Sequence, residues 1–344
     1  MNKIAIIGHF GENKMCIDGQ TIKTQNLFHA LSGISEANVT KIDTYGWKKH
    51  PFRLFMAVNQ AVKENDAIIM LPAHNGVQVF SSLLLFLNKK RKKKLYYDII
   101  GAWLPSLLEN KPRVAKSLRQ FDGLWAETNT MRKDLEKQGF KNVTIIPNFK
   151  DIEPISEQDI NYISELPIRL VIFSRISELK GVTDAIEAIA RVNQDGANYT
   201  LDIYGPIEES YKEKFEGLLV RNSKFTRYGG VINSSDSVSV LKNYHALLFP
   251  TKSYTEGIPG TIIDAYCAGL PVIASMWESY SDICIEGKTS LGYDFSNFED
   301  LVTLLLKIKN DPKILNCLRQ YSLVEGEKYT SSEVVKLLLS ILEV

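Results

Sequence analysis

Three segments in the second half of this 344-residue chain carry side chains that could act together on a charged ligand. In the first, Arg175 and Lys180 follow an apolar run that predicts a buried strand, and Gly181 comes next. A guanidinium, an ammonium and a helix N-terminus can stabilise the growing negative charge of a departing diphosphate. We therefore expect Arg175 and Lys180 to bind a diphosphate, although two ordinary surface cations at a strand–helix turn would show the same pattern.

The second segment is the turn between Glu256 and Asp264. It should expose backbone N–H groups at the start of a helix predicted over residues 261–268, which favours an anion or hydroxyl site. We expect Asp264 in the first helical turn, where it could accept hydrogen bonds from a ribose diol, and Glu256 beside the reacting centre. In the alternative interpretation, Asp264 only interacts with the helix dipole and Glu256 is only a charged loop residue. The turn residues expected at the ligand are Gly257, Ile258, Pro259, Gly260 and Thr261.

The third segment is Tyr204 and Gly205, at the end of a strand predicted over residues 200–204. In order and spacing, the three segments resemble the donor half of GT-B glycosyltransferases, specifically the retaining GT4 family (glycosyl transferases group 1), over residues 169–275. The chain departs from that family in having Asp264 where glutamate is usual. It also has Trp-Glu-Ser-Tyr at residues 277–280 where many relatives have a glycine-rich loop.

The resemblance implies a role for each segment. Arg175 and Lys180 would bind the diphosphate of a UDP- or GDP-sugar, Asp264 its ribose, and Glu256 would lie by the donor sugar. The resemblance further implies front-face transfer with retention, in which the leaving phosphate helps to deprotonate the acceptor. No metal or other cofactor is expected, because the chain has no Asp-x-Asp triplet and its own cations would do the work of a metal.

The first half would form the acceptor side. Gly19 and Gln20 lead into a helix predicted from Thr21, where the resemblance implies ligand contacts. Gly8 and Gly11 do not form a G-x-G-x-x-G fingerprint, which weakens an NAD-binding alternative. Relatives place a histidine after a middle strand of this domain, but residues 97–103 contain none. The candidate acceptor contacts are therefore His74, Asp98 and Trp103, although a single histidine at a strand end is more often structural.

Strand and helix patterns alternate along the whole chain, which predicts an α/β fold with two doubly wound, Rossmann-like domains facing a cleft. The polar segment 151–167 suggests a boundary, giving an acceptor-side domain over residues 1–160 and a nucleotide-sugar domain over 161–330. A helix predicted over 331–344 could belong to either domain. Strands are predicted over 4–8, 67–71, 94–100, 123–127, 143–147, 169–174, 200–204, 246–250 and 271–275.

Charge and cysteine content limit the classes of function. The net charge of +1 argues against a general nucleic-acid binder, but residues 1–165 carry +6 and residues 166–344 carry −5, so the two halves should meet different partners. The four cysteines lack metal or redox spacing and predict reduced thiols. The N-terminal apolar run is too short for a signal peptide, and no stretch approaches the roughly 20 apolar residues of a membrane span. We therefore expect a cytoplasmic protein.

An apolar run over residues 77–87 precedes the basic run 89–94. Such a pair could dock on an anionic membrane, placing the protein peripherally on the inner face of the cell membrane near a lipid-linked acceptor. A buried helix with a solvated basic end is the alternative.

The resemblance implies a retaining glycosyltransferase of the hexosyltransferase type. It would move a sugar from a UDP- or GDP-sugar to a glycan acceptor, such as a lipid-linked intermediate in cell-surface polysaccharide synthesis. A sugar-nucleotide 2-epimerase on the same fold is one alternative, and a non-catalytic accessory subunit is another. A scaffold would have no need to keep Arg175, Lys180, Glu256 and Asp264 together.

Overall fold

The computed structural model describes residues 2–11, 19–35 and 37–342, and the chain divides into two compact units. The first unit comprises Met1–Asp151 and Thr330–Val344, and the second comprises Ile152–Tyr329. Each is built on a six-stranded parallel sheet with helices between the strands. The predicted α/β class with two Rossmann-like units is confirmed.

The first sheet has the strand order β2-β1-β3-β4-β5-β6. Its strands are β1 (Asn2–Gly8), β2 (Ala37–Asp43), β3 (Ala67–Met70), β4 (Lys94–Asp98), β5 (Gly123–Ala126) and β6 (Val143–Ile145). The helices between them are α1 (Gly19–Ser32), α2 (Pro51–Glu64), α3 (His74–Asn88), α4 (Leu104–Glu109), α5 (Pro112–Leu118) and α6 (Asn129–Lys137), with a 3-10 turn at Trp47–Lys49.

Side chains of β1 alternate between two separate cores. Ala5 and Ile7 pack into one hydrophobic cluster, whereas Ile4 and Ile6 pack into another. Since successive side chains of a strand point to opposite faces, this sheet is covered by helices on both sides.

The second sheet has the order β12-β11-β10-β7-β8-β9. Its strands are β7 (Ile168–Phe173), β8 (Tyr199–Tyr204), β9 (Thr226–Gly230), β10 (Ala246–Phe249), β11 (Val272–Ser275) and β12 (Ser290–Tyr293). The helices are α7 (Val182–Val192), α8 (Lys212–Arg221), α9 (Ser237–Leu241), α10 (Gly260–Cys267), α11 (Tyr280–Ile283), α12 (Phe298–Asn310) and α13 (Lys313–Glu327). Strand order changes direction between β7 and β10, and such a switch point opens a crevice at the carboxyl ends of the strands.

The segment before β7 packs on the second unit. The amide of Ile155 donates to the carbonyl of Cys267 over 2.8 Å, and Ile160 is 7% exposed. The compact units therefore divide at residue 151, rather than at the predicted residue 160. The last helix, α14 (Ser331–Leu342), lies in the first unit, where Val334 and Leu338 share a core with Leu27 of α1.

Candidate functional site

The three segments that carry the predicted donor residues follow β7, β8 and β10, which are adjacent strands of one sheet. Because these strands are parallel, their carboxyl ends share one edge, and all three segments begin there. The chain thereby gathers residues that are far apart in sequence at the switch point between β7 and β10.

Two glycines hold the three segments in close contact. Gly181, with φ of 69°, lies where a Cβ atom would be 1.8 Å from the carbonyl oxygen of Pro250. Gly205, with φ of 138°, would place a Cβ 1.9 Å from the carbonyl oxygen of Ser174. Only glycine fits at such approaches, so the segment after β7 is tied to those after β10 and β8.

Lys180 and Glu256 form an ion pair across this edge. Lys180 ends the 3-10 turn Glu178–Lys180, and its Nζ lies 5.7 Å from the ring centre of Phe249 in β10. The same carboxylate oxygen of Glu256 accepts a hydrogen bond of 3.1 Å from the Thr251 hydroxyl. The lysine is 26% exposed and the glutamate 17%, so both charges can be reached by a ligand.

Arg175 lies at the same edge with an exposed side chain. The next residue, Ile176, donates its amide to the carbonyl of Pro206 over 2.9 Å, which fixes the backbone beside the arginine. Its guanidinium forms no ion pair within the described parts of the chain. Binding of a diphosphate by Arg175 and Lys180 stays a prediction.

A second ionic cluster, which could not be predicted from the sequence, borders the site. Lys252 lies 2.8 Å from Asp184 and 3.4 Å from Glu178, while Lys214 lies 2.7 Å from Glu178. Burial alone would raise the pKa of Glu178, but hydrogen bonds from Lys214 and Thr183 keep that pKa below its ordinary value. Glu178 lies in the Arg175 loop, Asp184 in α7, and Lys252 just after β10, so the cluster joins this loop to the segment after β10.

Asp264 does not lie in the first turn of its helix. Helix α10 begins at Gly260, with Pro259 as its N-cap, and Asp264 is too far along the helix for the expected contact with the positive end of the helix dipole. Its carboxylate is 1% exposed and accepts a 2.8 Å hydrogen bond from Ser237, which begins α9. The expectation of a first-turn acid is wrong, because the helix starts before residue 261. The contact of Asp264 with a ribose stays a prediction.

The turn before α10 is largely enclosed. Gly257 and Ile258 are buried, and Pro259, Gly260 and Thr261 are half-buried. The Thr261 hydroxyl is shielded from solvent and has no hydrogen-bond partner among the described residues. The amides of Ile262 and Ile263 already donate to the Pro259 carbonyl, but an unsatisfied hydroxyl at a helix N-terminus is a site where a bound polar ligand would restore a hydrogen bond.

Tyr204 is directed into the core of the second unit. The side chain is 8% exposed, and its hydroxyl is 2.8 Å from the hydroxyl of Tyr244, which donates to Asp202 over 2.6 Å. The ring thus supports the sheet, and Gly205 is the part of this segment that reaches the carboxyl edge.

Gly19 and Gln20 begin α1, and the Thr24 hydroxyl donates to the Gln20 carbonyl over 2.8 Å. The residues before them, including Cys16, lie outside the described parts of the chain. The contact of Gly19 and Gln20 with the donor stays a prediction.

Two of the three predicted acceptor residues lie together. The rings of His74 and Trp103 stack with centroids 4.1 Å apart, at the carboxyl ends of β3 and β4. His74 is exposed and has a left-handed φ of 36°, which is uncommon for a residue other than glycine. The Trp103 indole donates to the carbonyl of Ile100 over 2.6 Å, which holds the stacked pair in place.

The third residue, Asp98, is fully buried. Its carboxylate lies 2.8 Å from the ammonium of Lys23, which also contacts Glu127 at 2.8 Å and donates to the carbonyl of Ile99. Burial raises the pKa of Asp98, although Lys23 opposes this shift. The sequence did signal this lysine, because it falls on the apolar stripe of α1 with Leu27 and Leu31. Asp98 therefore anchors α1 and presents no surface to an acceptor.

The apolar run 77–87 forms most of α3. Val77, Phe80 and Leu84 are in the core, while Val79 and Phe86 are exposed. In the basic run, Arg91 donates to the carbonyl of Asn59, and Lys93 and Lys94 form ion pairs. Within residues 2–11, 19–35 and 37–342, no helix is long and apolar enough to span a bilayer, and no group of three or more potential ligands is placed to hold a metal ion.

Solved structures share this fold over the whole chain. HepE from Anabaena in complex with UDP superposes with a TM-score of 0.77 and 14% identity, covering 100% of each chain. Sucrose-phosphate synthase from Thermosynechococcus elongatus gives a TM-score of 0.78 at 14% identity, covering 100% of this chain and 98% of that one. At such identities the likeness defines the fold, which is that of the GT-B glycosyltransferases.

A family match lies within the second unit. Residues 156–323 match the family described as Glycosyl transferases group 1, so this part of the chain is a glycosyltransferase domain. Alpha-monoglucosyldiacylglycerol synthase from Acholeplasma laidlawii is 25% identical over 205 residues, which cover 56% of this chain and 50% of that protein. The match therefore spans about half the length of this curated relative.

Proposed function

We propose that the protein is a retaining glycosyltransferase of the GT4 family that uses a UDP- or GDP-sugar. The observation that carries the proposal is the meeting of Lys180 and Glu256 at the switch point between β7 and β10. This cation–carboxylate pair lies inside the stretch that matches the glycosyltransferase family.

Donor binding would change the partners of this pair. The diphosphate offers Lys180 a stronger anionic partner, and Arg175 lies exposed at the same edge to contribute a second cation. The backbone turn at Gly257–Thr261 and the unsatisfied Thr261 hydroxyl would complete the anion contacts. Glu256, released from Lys180, would then face the donor sugar.

The reaction follows from these charges. As the glycosidic bond breaks, its electrons pass to the diphosphate, and Lys180 and Arg175 stabilise the added charge. The acceptor hydroxyl attacks from the face that the diphosphate leaves, and a phosphate oxygen takes its proton. This front-face course retains the configuration of the anomeric carbon and needs no protein nucleophile. The stacked pair His74 and Trp103 would contact the acceptor on the first unit.

For the acceptor we propose a glycan on a lipid-linked intermediate of cell-surface polysaccharide synthesis. The first half of the chain carries the excess of positive charge, which suits an anionic carrier at the inner face of a membrane. One curated relative is named as a synthase of a glucosylated diacylglycerol, which supports a lipid-borne acceptor.

The test is a panel of UDP- and GDP-sugars with methanol as a surrogate acceptor. We expect one donor to release its nucleoside diphosphate and to yield a methyl glycoside of unchanged anomeric configuration, read by proton NMR. A methyl glycoside of inverted configuration would contradict the retaining course. Appearance of a second sugar nucleotide without transfer would instead identify an epimerase.

A further inference from the structure

The first unit contains a cleft of about 500 Å³ beside the end of β2 and the start of α2. Four basic side chains line it: Lys41, Lys49, His50 and Arg53. The last three are exposed and form no ion pair with any residue that the structure describes. The cleft thus concentrates positive charge that the protein does not neutralise.

The carboxylate of Asp43 also lines the cleft, and it accepts hydrogen bonds from two backbone amides. Oδ1 of Asp43 accepts hydrogen bonds from the amides of Phe10, over 3.0 Å, and Tyr45, over 2.8 Å. It therefore joins the segment after β1 to the segment after β2. The charge balance among the lining residues still favours an anion.

Aromatic rings lie among these cations. Tyr45 and Trp47 line the same cleft, and each is held by a ring contact outside it. Tyr45 packs edge-on against His9 at 5.2 Å, and Trp47 against Phe80 at 6.0 Å. Aromatic faces suit the C–H face of a sugar ring, whereas the neighbouring cations suit phosphate oxygens. A ligand that carries both groups would use the whole cleft.

We propose that this cleft binds a phosphate-bearing sugar, with its phosphate on Lys49 and Arg53 and its ring against Trp47 and Tyr45. Identifying this ligand as the acceptor rests on the proposed function. The cleft lies at the carboxyl edge of the first sheet, the edge from which His74 also begins α3. The acceptor would therefore be phosphorylated, which the family match does not specify.

The phosphate could belong to a soluble sugar phosphate or to a lipid carrier. Arg53 and Ala57 line the cleft from α2, while Phe52 and Met56 lie about 100° away around the same helix. Phe52 is 75% exposed and Met56 51% exposed, so an apolar strip borders the cationic one. A lipid-borne phosphate would contact both strips.

The test compares Lys49→Gln and Arg53→Gln with a matched control, Lys63→Gln, an exposed lysine in the last turn of α2. Titration calorimetry would use glucose 6-phosphate, glucose and inorganic phosphate as probes. Cosedimentation would use phosphatidylcholine vesicles with and without phosphatidylglycerol. Binding of UDP and of GDP would be measured on every variant as an independent check on the second unit.

We expect either glucose 6-phosphate or the anionic vesicles to bind the wild type. The dissociation constant should rise at least about tenfold in each cleft variant and stay unchanged in Lys63→Gln. Loss confined to glucose 6-phosphate assigns a soluble source, and loss confined to vesicles assigns a lipid. Binding of neither probe, or binding that the cleft variants leave intact, overturns the proposal even when UDP still binds. If the cleft ligand binds but neither UDP nor GDP does, that result would count against the proposed function only.

Discussion

Lys180 and Glu256, 76 positions apart in the chain, form an ion pair where β7 and β10 end side by side. The family resemblance implies that Lys180 binds the diphosphate of the ligand and that Glu256 lies by its sugar. In the second unit each satisfies the charge of the other. The ion pair keeps both charges in the site before the donor binds, and donor binding would replace it with contacts to the diphosphate and to the sugar.

Replacing Glu256 should separate binding from chemistry. Glu256→Gln keeps the shape of the side chain and frees Lys180 for the diphosphate, so UDP should bind at least as tightly as to the wild type. Transfer from the donor should fall by about a hundredfold or more if the carboxylate faces the reacting centre. Calorimetry with UDP and release of nucleoside diphosphate would check the two effects. Glu213→Gln, at an exposed position of α8, is the control.

A glycine should be required at position 181 because there is no space for a Cβ atom, rather than because of the positive φ angle. Gly287 has nearly the same φ, 70° against 69°, but open space where a Cβ would lie. We expect Gly181→Ala to lower the free energy of unfolding by about 1–3 kcal/mol more than Gly287→Ala, because its Cβ would meet the carbonyl oxygen of Pro250. Urea unfolding of both variants measures the difference. Equal losses would mean that the two loops are not in contact.

The hydrogen bond between Ser237 and Asp264 should stabilise the second unit in the absence of any ligand. Asp264→Ala removes a buried acceptor and should cost about 1–3 kcal/mol of unfolding free energy. A double-mutant cycle with Ser237→Ala isolates the pair, and the same variants titrated with uridine and UDP report any ribose contact. Additive losses would show that the two side chains do not interact.

The sequence predicted the central strands of both sheets well and missed three others. The missed strands, β2, β9 and β12, all lie at sheet edges. An edge strand has a neighbour on one side only, and most residues of β2 and β9 are half-buried or exposed, so neither strand forms an apolar run. Apolar periodicity therefore detects the centre of a parallel sheet better than its margin.

The site was predictable in its residue types and less so in its contacts. The spacing of the sequence indicated Arg175, Lys180, Glu256 and the turn at Gly257–Thr261, because parallel strands bring their carboxyl ends to one edge. The sequence did not indicate which charged residues form ion pairs. The pairs Lys180–Glu256 and Lys23–Asp98 depend on the order of the strands in each sheet. The position of Asp264 was misjudged because helix α10 starts at Gly260, a residue that rarely signals a helix.

Stability should fall with acidity through His245. Burial, with Arg169 and Arg319 nearby, lowers the pKa of His245 to about 4. The unfolded chain takes up the proton near pH 6.5, so the stability that neutral His245 contributes is present above that pH and is lost as the pH falls towards 4. In the wild type the Arg169 amide donates a hydrogen bond to Nδ1 of His245 over 3.0 Å, and Oδ1 of an asparagine at this position could accept the same hydrogen bond. Urea unfolding near pH 7 and near pH 5 should show a smaller loss for His245→Asn than for the wild type, and equal losses would exclude this histidine.

The central claim is that the carboxyl edge of the second sheet binds a nucleoside diphosphate through Lys180. Calorimetric titration of UDP and GDP into the wild type, Lys180→Ala and Lys224→Ala tests it most directly, since Lys224 is an exposed lysine elsewhere in the same unit. We expect one nucleotide to bind the wild type and Lys224→Ala equally, with at least about a tenfold weaker affinity for Lys180→Ala. Absence of binding to the wild type, or equal affinity in all three proteins, would contradict the claim.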